Sequence, residues 1–167
     1  LSQNGLHIVR IWTDFPGDNY HYNDTLRNIE IHNQPVINSF PYLEGFEQND
    51  GNYFSEGVND SWEYGMPVGG SVNHAANGKK VWKTSLSGAY NPYEKSILYS
   101  PCFDITSLTN PMLSFSFLVE IEDPNGGDVF DSAYMEYSLD GGLSWLRLGA
   151  YGQGYNWYNH SNNSWVG

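Results

Sequence analysis

Two runs of carboxylates are the residues of this chain most able to do chemistry. Glu44, Glu47 and Asp50 crowd one short stretch. Glu120, Glu122, Asp123 and Asp128 crowd another, around Asn125-Gly126-Gly127. Calcium takes oxygen ligands of this kind, although the second run lacks EF-hand spacing. Both runs also fit solvated turns on an acidic surface. A glycosidase needs two facing carboxylates. Glu120, Glu122 and Asp131 could supply them, but carboxylates are common here and single out nothing. The sequence holds no His-Glu-x-x-His, and His7, His21, His32, His74 and His160 lack a second His at ligand spacing. Gly142-Leu143-Ser144-Trp145-Leu146 lacks the closing Gly of a nucleophile elbow. The reading is therefore non-enzymatic. A binding reading rests on Tyr151, Tyr155, Trp157, Tyr158 and Trp165, set in a Gly/Asn-rich stretch. Aromatic surface with a few amide groups suits a glycan. The same rings would equally pack a core.

Composition narrows the partners. The net charge is −12, from 7 Lys plus Arg against 19 Asp plus Glu. No basic surface is available to neutralise phosphates, which argues against nucleic acid. No apolar run is long enough to span a membrane. Cys102 is the single cysteine, so no internal disulfide can form. Its neighbours are apolar, and a buried small side chain is expected there. High Tyr, Trp and Gly with few charges suits a loop-rich exported β-protein. The chain starts at Leu1 and is expected to be a fragment of a longer exported precursor.

The elements that must position these residues read as strands. Met135, Tyr137 and Leu139 alternate with Glu136 and Ser138, Asp140-Gly141-Gly142 supplies a turn, and Trp145 opens a return strand. Ser138, Asp140, Gly142 and Trp145 match an Asp-box, a scaffold motif in which the Asp ties the turn and the Trp packs beneath it. Leu6–Trp12 and Leu26–His32 form a hairpin around a polar loop, and Asn33-Gln34-Pro35 is a linker candidate. Further strands are expected near 80–85, 96–100, 112–121, 133–139 and 145–149. Met112–Ile121 is the clearest, with Leu113, Phe115, Phe117, Val119 and Ile121 on one face. No segment has helical periodicity, so an all-β sandwich is expected.

Two resemblances add to this reading. The hydrophobic strand followed by Pro16-Gly17-Asp18 and Asn23-Asp24-Thr25-Leu26 resembles the final strands of CARDB-like bacterial immunoglobulin-type domains, over residues 1–39. From residue 40 to 167, an ordered series resembles the MAM-like jelly-roll modules of secreted Bacteroidota proteins. The series is Gly45-Phe46-Glu47, Trp62-Glu63-Tyr64-Gly65-Met66-Pro67, Gly78-Lys79-Lys80-Val81-Trp82-Lys83-Thr84, Tyr99-Ser100-Pro101-Cys102-Phe103-Asp104-Ile105, Pro111-Met112-Leu113-Ser114-Phe115 and the Asp140 hairpin. The likeness implies a jelly roll left incomplete at its C-terminal end. It implies a structural calcium beside Glu47, and O-glycosylation at Thr25 within Asp24-Thr25-Leu26. Three functions are consistent with it. The chain could serve adhesion or spacing on a cell surface with a glycan or protein ligand. It could be an accessory module of a secreted metalloprotease, or cargo bound to type IX secretion components.

Overall fold

A computed structural model describes residues 3–121 and 130–166. Glu122, Asp123 and Asp128 lie outside the described residues. The fold is all-β, and its strands pair two by two. The chain divides into two compact units, Leu1–Leu113 and Ser114–Gly167.

In the first unit, β1 (Gly5–Trp12) and β2 (Thr25–Asn33) form the expected antiparallel hairpin. Its register contains a bulge. Val9 faces Ile29 and Ile11 faces Leu26, so Arg27 and Asn28 together stand opposite Arg10. Asn28 takes a left-handed φ of 57° to make room. The extra residue has a purpose that plain alternation hides. Without it Arg27 would fall on the face of Ile29 and Ile31; with it Leu26 does.

β3 (Val36–Ile37) runs parallel to β8 (Cys102–Phe103), an element the sequence did not suggest. Cys102 donates its N–H to Pro35 and Asp104 donates to Ile37. Cys102 is exposed, contrary to the expected burial. Its ladder is two residues long, too short to build a packed layer around the thiol. β4 (Phe54–Val58) pairs with β7 (Lys95–Tyr99), and β5 (Trp62–Gly65) with β6 (Val81–Thr84), both antiparallel. Phe54 joins the hairpin to this region, stacking between His32 at 3.8 Å and Tyr99 at 4.7 Å.

Polar anchors brace these short ladders. Glu94 accepts from Ser61 N at 3.2 Å and Asn91 N at 3.0 Å, and from the Ser61 and Ser96 hydroxyls. Partial burial raises its pKa, but the two hydroxyls and the N–H groups outweigh that and hold it below the ordinary range. The Lys83 ammonium donates to the carbonyls of Thr84, Ser85 and Gly88, closing the turn after β6.

In the second unit, β9 (Glu136–Tyr137) pairs with β10 (Leu146–Arg147), much shorter than the strands expected there. Over 111–121 no strand forms among the described residues. The alternation is real, since Phe115 and Phe117 both reach the Trp165 ring. A periodic face fixes where side chains go, but a strand also needs a neighbour for its backbone, and no described segment supplies one. The core lies around Tyr158 and Trp165, 3% and 6% exposed. Trp165 exchanges both backbone hydrogen bonds with Ala133, at 3.0 and 2.8 Å. The Tyr158 hydroxyl accepts from Met135 N at 3.1 Å and lies 2.9 Å from the Leu148 carbonyl. It thus staples the two sides of the hairpin just beyond its ladder.

Tyr158→Phe keeps the ring and removes the staple. It leaves the Met135 N–H short of a partner, and is expected to destabilise the second unit by about 1–3 kcal/mol, read by urea denaturation.

Candidate functional site

An open groove of about 660 Å³ runs along the second unit. Phe117, Leu118 and Val119 form one wall, and the Gly152–Gly154 loop with Asn156 forms the other. Trp157, Tyr158 and Trp165 lie between them. The aromatic residues singled out in the sequence therefore divide into two sets. Tyr158 and Trp165 pack their rings together at 4.6 Å, and Trp157 joins Trp165 at 5.3 Å. The faces of Tyr158 and Trp165 are spent on the core. Tyr155 is 90% exposed and lies outside the groove lining.

The amides of this region are also engaged. Asn159 acts as a mock β-partner, donating to Val166 O at 2.8 Å and accepting from Val166 N at 2.9 Å. Gln153 accepts from Ala150 N at 3.0 Å. Arg147 lies over the Tyr134 ring, 3.5 Å from its centroid, and donates to Asn163 O. The indole N–H groups of Trp157 and Trp165 are buried and meet no acceptor among the described residues. Trp157 also fixes its surroundings. Gly149 has φ 72°, and a Cβ there would sit 2.7 Å from the indole nitrogen.

The carboxylates weighed for calcium have structural work. Glu47 Oε1 accepts from Lys79 N at 2.7 Å and Lys80 N at 2.8 Å. Those two bonds lower its pKa, the Lys80 contact foremost. Gly78 makes the approach possible, since a Cβ there would stand 2.4 Å from Glu47 Oε1. Glu44 accepts from Phe46 N at 2.6 Å, and Asp50 from Asn52 N at 2.9 Å. Among the described residues, no three His, Cys, Asp or Glu gather into a group that could hold a metal ion.

The four Asp-box residues lie together in one turn. Ser138 Oγ donates to Asp140 Oδ1 at 2.7 Å and accepts from Gly142 N at 2.8 Å. Asp140 also accepts from Ser144, through N at 2.9 Å and Oγ at 2.5 Å. The Trp145 indole donates to Gly142 O at 3.1 Å. Gly141 and Gly142 carry φ of 73° and 90°, which the turn requires. Thr25 opens β2 opposite Trp12, half-buried beside the loop.

A second cavity, of about 230 Å³, lies within the first unit. His32 and Gln34 border it from the hairpin side, and Asp50, Asn52, Tyr53 and Phe54 from the loop before β4. Reasoning from sequence passed over it, treating His32 as a strand residue and Gln34 as linker. No spacing signal could have joined two such distant segments.

The Ser144 and Ser138 bonds hold the Asp140 carboxyl at about 2, against an ordinary 3.8. The folded value is depressed, so this contribution to stability is full above the unfolded value and fades as pH falls toward 2. A carbon-detected NMR titration of Asp140 Cγ should show a midpoint near 2, and Asp140→Asn should erase the acid sensitivity of the turn between pH 4 and 2.

Comparison with known proteins gives one measured likeness. The chain is 31% identical over 125 residues, 75% of its length, to Bacillopeptidase F of Bacillus subtilis (strain 168). It spans 8% of that protein's length. No family model matches the chain. No solved structure matches it either.

Proposed function

We propose that this chain is a non-catalytic β-module carried beside a peptidase domain in an exported protein. One observation carries the reading. The chain is 31% identical over 125 residues to part of Bacillopeptidase F, which supports a place in a protein that also carries a peptidase domain. The chemistry of the described residues supports it. Glu47, Glu94 and Asp140 each accept backbone N–H groups, so their charge braces turns. Cys102 is exposed on a two-residue ladder, with no histidine opposite it in that ladder. The accessory reading now stands ahead of adhesion and of type IX secretion cargo, because it alone has a sequence likeness behind it. Among the described residues no helix is long and apolar enough to cross a membrane.

Deletion of the matched stretch from Bacillopeptidase F tests the proposal. The shortened enzyme is expected to keep its turnover of a small chromogenic peptide, and the isolated 167-residue chain to cleave neither that peptide nor casein. Cleavage by the isolated chain would overturn the reading, as would loss of small-peptide turnover in a shortened enzyme that remains folded.

A further inference from the structure

We infer that the 230 Å³ cavity of the first unit is a binding site for a single neutral sugar ring. A space of about 230 Å³ holds several waters, which suits a small polyhydroxy ligand. Four residues with polar side chains line it, His32, Gln34, Asp50 and Asn52, beside Gly5 and Leu6 of β1. Their hydrogen-bonding capacity is unspent. Among the described residues the Gln34 and Asn52 side chains and the His32 ring nitrogens make no hydrogen bond, and Asp50 uses Oδ1 for Asn52 N. Gln34 and His32 are half-buried, and Asp50 and Asn52 are exposed at the rim.

The lining selects among ligand classes. An apolar ligand would cover the half-buried Gln34 and His32 side chains and give them no hydrogen bond in return. An anion would face the Asp50 carboxylate in a chain of net charge −12. A metal ion finds no group of three ligands here. An organic cation would want an open aromatic face, but Phe54 is sandwiched between His32 and Tyr99, and Tyr53 meets Phe46 edge to face at 5.3 Å. What remains is a neutral ligand carrying several donors and acceptors on a compact frame. Two amides and a carboxylate can pair neighbouring hydroxyls, with aromatic edges and Leu6 closing the sides.

Two-dimensional NMR of the 167-residue chain, titrated with the methyl glycosides of glucose, galactose, mannose and N-acetylglucosamine, tests the inference. The expected result is saturable shifts of the Gln34 and Asn52 side-chain amide signals with at least one sugar. Gln34→Leu or the near-isosteric Asp50→Asn should weaken that binding about tenfold, one lost hydrogen bond to a charged or buried group, while the variant chain keeps its folded spectrum. Asp50→Asn keeps an acceptor for Asn52 N, so the test survives if Gln34→Leu fails to fold. Absence of saturable shifts with all four sugars overturns the inference. So do shifts centred on Trp157, full binding by both variants, or a preference for tetramethylammonium over every sugar.

Discussion

Carboxylates bound to backbone N–H groups hold this structure together. Its ladders are short and two-stranded, and a two-stranded sheet has little stability of its own. Each turn between them leaves N–H groups that no ladder reaches. Acidic side chains take those positions throughout. Asp60 accepts from Trp62 N and the Ser55 hydroxyl, Glu63 from Leu86 N, and Asp104 from Thr106 N. Glu47 and Glu94 do the same across long sequence separations, linking residues about thirty positions apart. Such bonds are charge-assisted and roughly twice as strong as neutral ones. A fold of this kind can depend on its turns as much as on its strands.

The second unit solves the same problem differently. Tyr158 and Trp165 supply the buried apolar core that the short ladders lack, and their backbone and hydroxyl groups also bond to the hairpin. One ring therefore serves packing and hydrogen bonding together. Among the described residues, two buried indole N–H groups find no acceptor where these three aromatic rings crowd together.

The sequence made the class of fold legible and its connections much less so. Strands at 80–85 and 96–100 were visible because β-branched and aromatic residues cluster there, and β6 and β7 lie in place. The Asp140 turn was legible because its bonds are local, spanning a few residues. The parallel pairing of β3 with β8 was not, because two-residue strands carry no periodicity. The bulge at Arg27-Asn28 was hidden for a related reason, since it preserves the apolar face by breaking the alternation that would reveal it. Aromatic residues near the C-terminal end were legible as a group, but not their division into buried Tyr158 and Trp165 and exposed Tyr155. That division depends on which rings find neighbours, and Phe115 and Phe117 lie some forty residues earlier in the chain.

The same bonds change what the net charge of −12 implies. An acidic chain suggests calcium or a basic partner when its carboxylates are free to act at a distance. Here many of the described ones are each held by donors within hydrogen-bonding reach. Their charge is partly neutralised where it stands, by N–H dipoles and hydroxyls in the turns. Asp140 shows the strength of that effect in its depressed pKa. The acidity of this chain is therefore in large part a property of its turns. Asp50 is the instructive exception, since one oxygen serves its turn and the other remains available to the cavity beside it. A carboxylate that is only half used is where structure ends and recognition can begin.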